Sequence, residues 1–370
     1  MNATTPHDIP IPGPVDVVVY HVGGEGGIGP VETAFEAAAD NVMLVVFEIR
    51  DDKVPFVVQQ AKHSPKQFTI KVNRAVDAQE AEREFYVTDH PLSSSLYKPS
   101  PMASSEDPNY FHCLTWGDNT TIKKTIKVHT TSIEAVIDEL KLPPPDVISS
   151  DAQGAELSIL KGAGRFLPNL LGAVTEVEFS EIYHRQPLFD EQMALLSPLG
   201  LRLVNLFNSQ IWQPGPRMRG TGFLTVAEAV FLKYFHVFGP DDERPARGYA
   251  EMKDASTEAL MKTIILAMGF RLLSYAVKIA TFIKAERSNY QQHIDNVPVL
   301  KSAFALADFV AENRHQMSEK LDFFIDTITM PESRHMTYMV QDTSSIQWED
   351  LKKRRGGSPR GFVPLTKPGL

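Results

Sequence analysis

Residues 15–30, VDVVVYHVGGEGGIGP, decide the fold of this chain. The apolar run from Val15 to Tyr20 predicts a β-strand, and the glycine-rich turn after it ends at Pro30. Proline is favoured at the first position of a helix, because the amide that it lacks would have no partner there. A strand, a glycine-rich turn and a helix in this order predict the first unit of a Rossmann-like domain, whose turn lets the backbone approach a bound nucleotide.

The strands that follow favour the same fold class. The next one, Met43–Phe47, ends on Glu48, an acid placed to accept hydrogen bonds from a ribose diol. Further strands are predicted near residues 68–72, 122–128, 147–150, 173–178, 201–206 and 228–234, with helices at 133–140, 155–163 and 189–197. Apolar strands that alternate with helices are typical of a parallel sheet covered on both faces. The chain is therefore predicted to be an α/β protein.

Composition narrows the functional classes. The 370 residues carry a formal net charge of −9, which argues against broad nucleic-acid binding, since that usually needs a basic surface. Cys113 is the single cysteine, so the sequence excludes an intramolecular disulfide, a cysteine-rich zinc site and an iron–sulfur cluster. We expect no signal peptide and no transmembrane span, and we predict a cytoplasmic location.

Four segments are expected along the chain. Residues 1–14 are an extended lead-in, residues 15–239 a Rossmann-like domain, residues 240–340 a helical extension, and residues 341–370 a basic, disordered tail. Within the extension, a long apolar helix is predicted from Thr257 to Glu286. We expect it to pack on the core or on a subunit partner in a homo-oligomer, with a membrane interface as the alternative. The tail is expected to be solvated, with attraction to anionic lipid or polysaccharide as its alternative.

A polar block follows the fourth parallel strand. Residues 151–156 read DAQGAE and lie where the carboxyl end of that strand meets the crevice that binds ligands in open α/β sheets. Asp151 is therefore expected to face substrate or cofactor, and Gly154 to allow a close backbone approach. Glu156 has a second explanation, because acids are favoured in the first turn of a helix.

The DAQGAE block and its flanks, from Thr131 to Phe189, resemble the signature of FkbM-family methyltransferases. Three further segments are similar to that family: the loop HVGGEGGIGP, the strand end VVFE, and SSLYKP at Ser94–Pro99. The resemblance covers roughly residues 15–235. It implies a class I methyltransferase fold, with a mostly parallel sheet and an antiparallel last strand. It also implies transfer of a methyl group from S-adenosylmethionine, generally to an oxygen on a sugar or a related metabolite.

The glycine-rich turn does not identify the cofactor by itself. Gly24, Gly26 and Gly29 fit the G-x-G-x-x-G spacing, which is also typical of nicotinamide cofactors. The DAQGAE block that begins at Asp151 resembles the methyltransferase family, so we predict S-adenosylmethionine as the cofactor. The predicted cofactor-binding residues are His21, Gly23, Gly24, Glu25, Gly27, Glu48 and Asp151.

Two positions depart from the family pattern. The family commonly has Asp where this chain has His21, and Lys where it has Ser149. The first departure alters the charge beside a cationic cofactor, and the second removes a cation next to Asp151. Together they leave open a protein that binds the cofactor but is slow or inactive.

Methyl transfer to a hydroxyl needs a base within hydrogen-bond reach of the acceptor's proton. Asp151 is the first candidate, Glu178 at the end of the fifth strand is the second, and His184 in the next loop is the third. Glu176 shares a face with Glu178, because side chains alternate along a strand. These groups are also compatible with Mg²⁺, but their spacing is not diagnostic, so the metal ligands stay unknown and a divalent metal is not predicted.

The favoured function is O-methylation of a sugar hydroxyl on a saccharide, a glycolipid or a related metabolite. A long loop from Asp89 to Asp118 is expected to close over the substrate, with Tyr97 or Tyr110 stacking on a sugar face. One alternative is an NAD(P)-dependent oxidoreductase, supported only by the turn and Glu48. Another is a cofactor-binding scaffold whose helical extension assembles a complex.

Overall fold

The computed structural model describes residues 9–23, 40–49, 56–60, 68–100, 111–112, 119–214, 222–239, 241–245 and 248–312. Several predicted features lie outside these residues: the helix after Pro30, the greater part of the 89–118 loop, and the basic tail.

The described residues contain fourteen strands. They are β1 (Val17–Val22), β2 (Val42–Glu48), β3 (Phe56–Gln60), β4 (Phe68–Asn73), β5 (Ala75–Val76), β6 (Ala81–Thr88), β7 (Phe111–His112), β8 (Ile122–Thr131), β9 (Val147–Ser150), β10 (Gly172–Glu178), β11 (Leu201–Pro214), β12 (Phe223–Lys233), β13 (Phe235–His236) and β14 (Ala250–Glu251). The α-helices of the same residues are α1 (Ile133–Leu140), α2 (Glu156–Gly162), α3 (Phe189–Leu196), α4 (Thr257–Gly269), α5 (Leu273–Glu286), α6 (Gln291–Ile294) and α7 (Pro298–Glu312).

Nine of the described strands form one central sheet in the order β3-β4-β2-β1-β9-β10-β12-β11-β7. The pairs from β4 to β10 are parallel, whereas β12 runs antiparallel to both β10 and β11. The prediction of a mostly parallel sheet with an antiparallel last strand is therefore confirmed. The chain moves outward in one direction from β1 to β2 and in the other from β9 to β10, so the topological switch point lies between β1 and β9. Ligands of open α/β sheets bind at such a point, outside the carboxyl ends of the strands.

The central strands are buried on both faces, as near-continuous apolar sequences require. All six residues of β1 are buried. One face packs against α1 and α2 through Val18, Tyr20 and Ile148, and the other packs against α4, α5 and α7 through Val17, Val19 and Val147. The described helices of the predicted extension therefore share the core of the sheet. An ion pair of 2.8 Å between Lys262 on α4 and Asp146, just before β9, reinforces this packing.

The long helix predicted from Thr257 to Glu286 is wrong in one respect, because two helices occupy this segment. The first ends where Arg271 adopts a left-handed backbone with φ of +58°. The amide of Leu272 then donates to the carbonyl of Ala267 at 2.7 Å and that of Arg271 to Met268 at 3.0 Å. This pair of hydrogen bonds is the Schellman arrangement that ends many helices. None of the described helices has the length and apolar character needed to cross a membrane.

A small second sheet is formed by β5, β6 and β8. β6 and β8 form an antiparallel hairpin, with β5 parallel to β8. The strand predicted near residues 122–128 is β8, whereas β6 was not predicted, although its alternating AEREFYVT pattern is typical of a half-exposed strand. Residues 91–100 lie in the connection between β6 and β8, and Ser95 in this segment contacts Gln153, just beyond the carboxyl end of β9.

Candidate active site

The first strand ends against the fourth parallel strand through Gly23. Its φ is +106°, and a Cβ built on it would lie 1.9 Å from the carbonyl oxygen of Asp151. The amide of Asp151 donates to the carbonyl of Val22 at 3.0 Å, so the two chain segments stay in contact beyond the strands. Only glycine fits both this conformation and this contact. Gly23 and Asp151, both predicted to bind the cofactor, are thus brought together at the switch point.

Glu48 ends the neighbouring strand at the same edge of the sheet. Val22 is paired with Phe47, which places Glu48 one residue beyond the last β1–β2 pair. The Glu48 side chain is partly exposed. This is the position from which an acid can accept hydrogen bonds from a ribose. Gly24, Glu25 and Gly27 lie outside the described residues, so their assignment stays a prediction.

The two departures from the family pattern are direct neighbours. His21 on β1 is paired with Ser149 on β9, and His21 Nδ1 and Ser149 Oγ share a hydrogen bond of 3.0 Å. Both side chains are buried. An Asp at position 21 and a Lys at position 149 would also face each other. The two departures from the family pattern therefore replace one interacting pair of side chains by another. They are not two independent losses of charge, and this weakens the reason for suspecting an inactive protein.

Asp151 lies in a hydrogen-bonded group with Gln153 and Glu176. Gln153 Nε2 donates to Asp151 Oδ1 at 2.7 Å and to Glu176 Oε2 at 3.0 Å. Gln153 adopts a left-handed backbone with φ of +56°, as does Gly154 at +97°, and this turns the amide back toward both acids. Burial raises the pKa of Asp151, and hydrogen bonds to Gln153 and Glu176 offset part of that rise. The arrangement holds a carboxyl of raised proton affinity at the strand end.

Glu156 has a local structural role. It is almost fully buried, and its Oε1 accepts a hydrogen bond of 2.7 Å from the amide of Ala152. Burial raises its pKa to about 7, with the charge of Asp151 adding to the rise and backbone amides opposing it. Glu156 therefore stabilises the turn that carries Asp151 and Gln153.

A second set of carboxyls lines the adjacent strands. Glu178 at the end of β10 has no exposed surface, and among the described residues neither of its oxygens has a hydrogen-bond partner. Burial raises the pKa of Glu178 well above its ordinary value, and the charges of Glu156 and Asp151 add to the rise; the nearby amide of Gln186, whose Nε2 is also buried without a close partner among the described residues, offsets part of it. Glu228 on β12 is paired with Glu176 on β10. Its Oε1 accepts from Asn208 at 2.9 Å, whereas its Oε2 is buried with no partner in the described part of the chain.

His184, the third candidate base, points elsewhere. Its imidazole is 58% exposed and lies 3.5 Å from the carboxylate of Glu181. Within the described residues, no hydrogen bond joins the ring to the carboxyl group at Asp151. Its backbone is closer to the site, since the amide of His184 donates to the carbonyl of Lys98 at 2.7 Å.

The described part of the predicted lid is fastened to the site. Ser95 Oγ donates to the carbonyl of Gln153 at 2.6 Å. Tyr183 Oη lies 2.8 Å from Gln153 Oε1 and 3.0 Å from the carbonyl of Ser93. Tyr97, proposed to stack on a sugar, is half-buried with the guanidinium of Arg83 6.0 Å from its ring centroid. Tyr110 lies outside the described residues.

Four site residues were not predicted: Gln153, Tyr183, Gln186 and Glu228. Gln153 stands inside the DAQGAE block, so its position next to Asp151 was a usable signal. Glu228 joins the group by cross-strand pairing with Glu176, which a single sequence does not reveal. Among the described residues, no group of three or more His, Cys, Asp or Glu is arranged to hold a metal ion.

This fold and this site define a class I methyltransferase-type domain. A family model of the methyltransferase FkbM domain matches residues 20–203. The matched part of the chain belongs to the FkbM methyltransferase family, and it includes the last three residues of β1, the DAQGAE block and both acids of β10. No curated protein matches the sequence.

Proposed function

We propose that this chain uses S-adenosylmethionine to methylate a hydroxyl oxygen, with a saccharide, a glycolipid or a related metabolite as the acceptor. The observation that carries the proposal is the meeting of Gly23 with Asp151 at the switch point of an FkbM-type sheet. We further propose a cytoplasmic location, in keeping with the single cysteine.

The residues at the switch point fit the cofactor. Glycine at position 23 lets the end of β1 pack against the carbonyl of Asp151, so Glu48, Gly23 and Asp151 lie side by side at the carboxyl edge of the sheet. Glu48 is placed to accept hydrogen bonds from the ribose, and Asp151 lies on the other side of Gly23. His21, Gly24, Glu25 and Gly27 complete the proposed set. When bound, S-adenosylmethionine supplies an electrophilic methyl group on a positively charged sulfur.

Asp151 is the base in this proposal. The acceptor oxygen forms the new C–O bond as the C–S bond breaks, the electron pair of that bond stays on sulfur, and the hydroxyl proton passes to Asp151. Raised proton affinity suits this role, because the best general base has a pKa near the working pH. Gln153 is a positioning residue, since it holds Asp151 through one amide hydrogen. Glu178 and His184 stay the second and third candidates.

Binding tests the cofactor, and turnover tests the base. Calorimetry with S-adenosylmethionine, S-adenosylhomocysteine and NAD should show binding of the two sulfur compounds. Binding of NAD alone would favour the oxidoreductase alternative and contradict the proposal. Binding of the sulfur compounds without turnover on a panel of sugar hydroxyls would favour the scaffold.

Replacing the base should affect rate more than cofactor affinity. We expect Asp151→Asn to lower kcat by about 10²–10⁴-fold and to weaken the binding of S-adenosylhomocysteine by a smaller factor. The exposed Asp254→Asn is the matched control. An unimpaired Asp151→Asn enzyme would move the role to Glu178 or His184. Oligomer formation through the C-terminal helices stays a prediction, which sedimentation analysis measures.

A further inference from the structure

Carboxyl groups are concentrated at one corner of the sheet. Glu176, Glu178 and Glu228 lie on one face of β10 and β12, because Glu176 and Glu178 are two residues apart and Glu228 is paired with Glu176. Asp151 joins them through the amide of Gln153. Burial raises the pKa of Glu176 well above its ordinary value, and the charges that add to this rise belong to other carboxyls: Asp151, Glu178, Glu156 and Glu228.

Such a cluster is costly to a folded chain. Like charges directly across a strand pair are destabilising, and Glu176 and Glu228 are in that relation. In the described part of the chain, no Lys or Arg forms a salt bridge with any member. The repulsion is therefore relieved in one of two ways: some of these carboxyl groups are protonated, or a cationic ligand binds between them.

The unpartnered oxygens indicate the second possibility. Both oxygens of Glu178 and Oε2 of Glu228 are buried without hydrogen-bond partners among the described residues. Protonation does not remove this deficit, since a neutral carboxylic acid still has a donor and an acceptor to satisfy. Glu178 shares a face of β10 with Glu176, and besides burial the charges of Glu156 and Asp151 raise its pKa, so it lies close to the cluster. Glu178 and Glu228 are diagonal neighbours on the strand pair, with backbones about 7–8 Å apart, so their long side chains on the same face can both reach one small ligand.

We infer that the methyl acceptor is an amino sugar or another amino alcohol, whose ammonium group is held by Glu178 and Glu228 while its hydroxyl faces Asp151. An ammonium group fits because it has three donors and a compact positive charge. This inference rests on the proposed function, and it narrows the acceptor class. It also assigns Glu178 to binding, with Asp151 as the base.

Matched pairs of ligands test the inference without requiring turnover. Glucosamine with glucose, galactosamine with galactose, and 2-aminocyclohexanol with cyclohexane-1,2-diol each differ in one amino group. We expect the amino member of at least one pair to bind tenfold or more tightly than its neutral partner by calorimetry. N-acetylglucosamine, which has no positive charge, should behave like the neutral members.

Variants separate recognition of the acceptor from recognition of the cofactor. Glu178→Gln and Glu228→Gln should reduce the amine preference to about twofold or less, while the Kd of S-adenosylhomocysteine stays unchanged. Glu286→Gln removes an exposed carboxyl on α5 and should leave the preference intact. Circular dichroism of each variant checks that it is folded, and Glu228→Gln, whose side chain is partly exposed, keeps the test available if Glu178→Gln does not fold.

Proton release provides a second readout. A bound ammonium group favours the ionised carboxylates, so amine binding should release protons and give a calorimetric heat that depends on the buffer's ionisation enthalpy. The titratable groups facing the site are Asp151, Glu156, Glu176, Glu178, Tyr183 and Glu228. The release should be smaller in Glu178→Gln.

Three results would overturn the inference. The first is that the amino and neutral members of every pair bind equally, or that neither binds. The second is an amine preference that survives both Glu178→Gln and Glu228→Gln. The third is weaker binding of S-adenosylhomocysteine in Glu178→Gln. The last would assign the carboxylate to the amino group of the cofactor. If S-adenosylhomocysteine does not bind the wild-type protein, that result counts against the proposed function. The amine titrations are made without cofactor, so their outcome does not depend on cofactor binding.

Discussion

Gly23→Ala is the substitution whose effect follows most directly from the geometry. The new Cβ would lie 1.9 Å from the carbonyl oxygen of Asp151, a backbone atom that cannot rotate away. Relief to 3.0 Å needs the two strand ends to separate by about 1 Å, and overpacking of this kind costs about 1–3 kcal/mol. The φ of +106° adds about 1–2 kcal/mol for a residue with a side chain. We expect a loss of about 2–5 kcal/mol in the free energy of unfolding.

Two other glycines separate the causes. Gly200 has a φ of +80°, but its nearest neighbours would be 3.4 Å from a Cβ, so Gly200→Ala should show the conformational cost alone. Gly248 has a φ of +67° and a Cβ 2.0 Å from the carbonyl oxygen of Ser197, outside the candidate site. Gly248→Ala should therefore lose about as much stability as Gly23→Ala, about 2–5 kcal/mol.

The assay combines urea unfolding with calorimetry of S-adenosylhomocysteine on the folded variants. Gly23→Ala should lose cofactor affinity as well as stability, whereas Gly248→Ala should retain the affinity. The reasoning is refuted if Gly23→Ala is no less stable than Gly200→Ala, or if it binds the cofactor as the wild type does.

Three further predictions follow from buried pairs and charges. His21→Asp and Ser149→Lys should each lower the free energy of unfolding by about 3–5 kcal/mol, because each introduces a buried charge without a partner. In the double variant the two charges can pair, so its loss should be smaller than the sum of the two single losses by at least about 0.5 kcal/mol; additive losses in urea unfolding would contradict the pairing. Lys262→Met should lower the free energy of unfolding by about 3–5 kcal/mol, because it leaves Asp146 largely buried without its cation. The control Lys284→Met removes an exposed ion pair and should lower it by at most about 1 kcal/mol, so equal melting temperatures of the two variants would contradict the role of Lys262 in holding α4 to the sheet. Burial lowers the pKa of Lys233 from 10.5 to about 8 in the folded protein. Between these two pH values the unfolded chain binds more protons than the folded one, so the free energy of unfolding should rise with pH, and unfolding curves of Lys233→Met from pH 7.5 to 10.5 should lack that rise.

Much of the sheet was predictable because its strands are buried on both faces. Such strands are short continuous apolar runs, and the runs at residues 43–47, 147–150 and 173–178 match β2, β9 and β10 closely. The start of α1 is also a local signal, because Ser132 is a residue type favoured as a helix cap and its side chain accepts from the amide of Ala135 at 3.1 Å. By contrast, β6 alternates polar and apolar residues on a half-exposed surface, so its signal was weaker.

The break between α4 and α5 was missed for a different reason. Both segments are apolar, α4 ends on Gly269, and the three residues between the helices, Phe270–Leu272, include neither glycine nor proline. The left-handed conformation of Arg271, a residue type that rarely adopts it, is imposed by packing of the two helices on the sheet. Local sequence preference gives no warning of such an imposed turn.

The sequence by itself determined the fold class, the family and the placing of Asp151 and Glu178 at strand ends, because apolar periodicity and local motifs are written in consecutive residues. Tertiary structure alone decided which distant residues meet. It pairs His21 with Ser149, sets Gly23 against the carbonyl of Asp151, and brings Glu228 opposite Glu176. These contacts arise from strand order and register, which depend on how the whole sheet packs. The physical reason is that hydrogen bonding between strands joins positions more than a hundred residues apart, as at His21 and Ser149, and no local pattern specifies the partner.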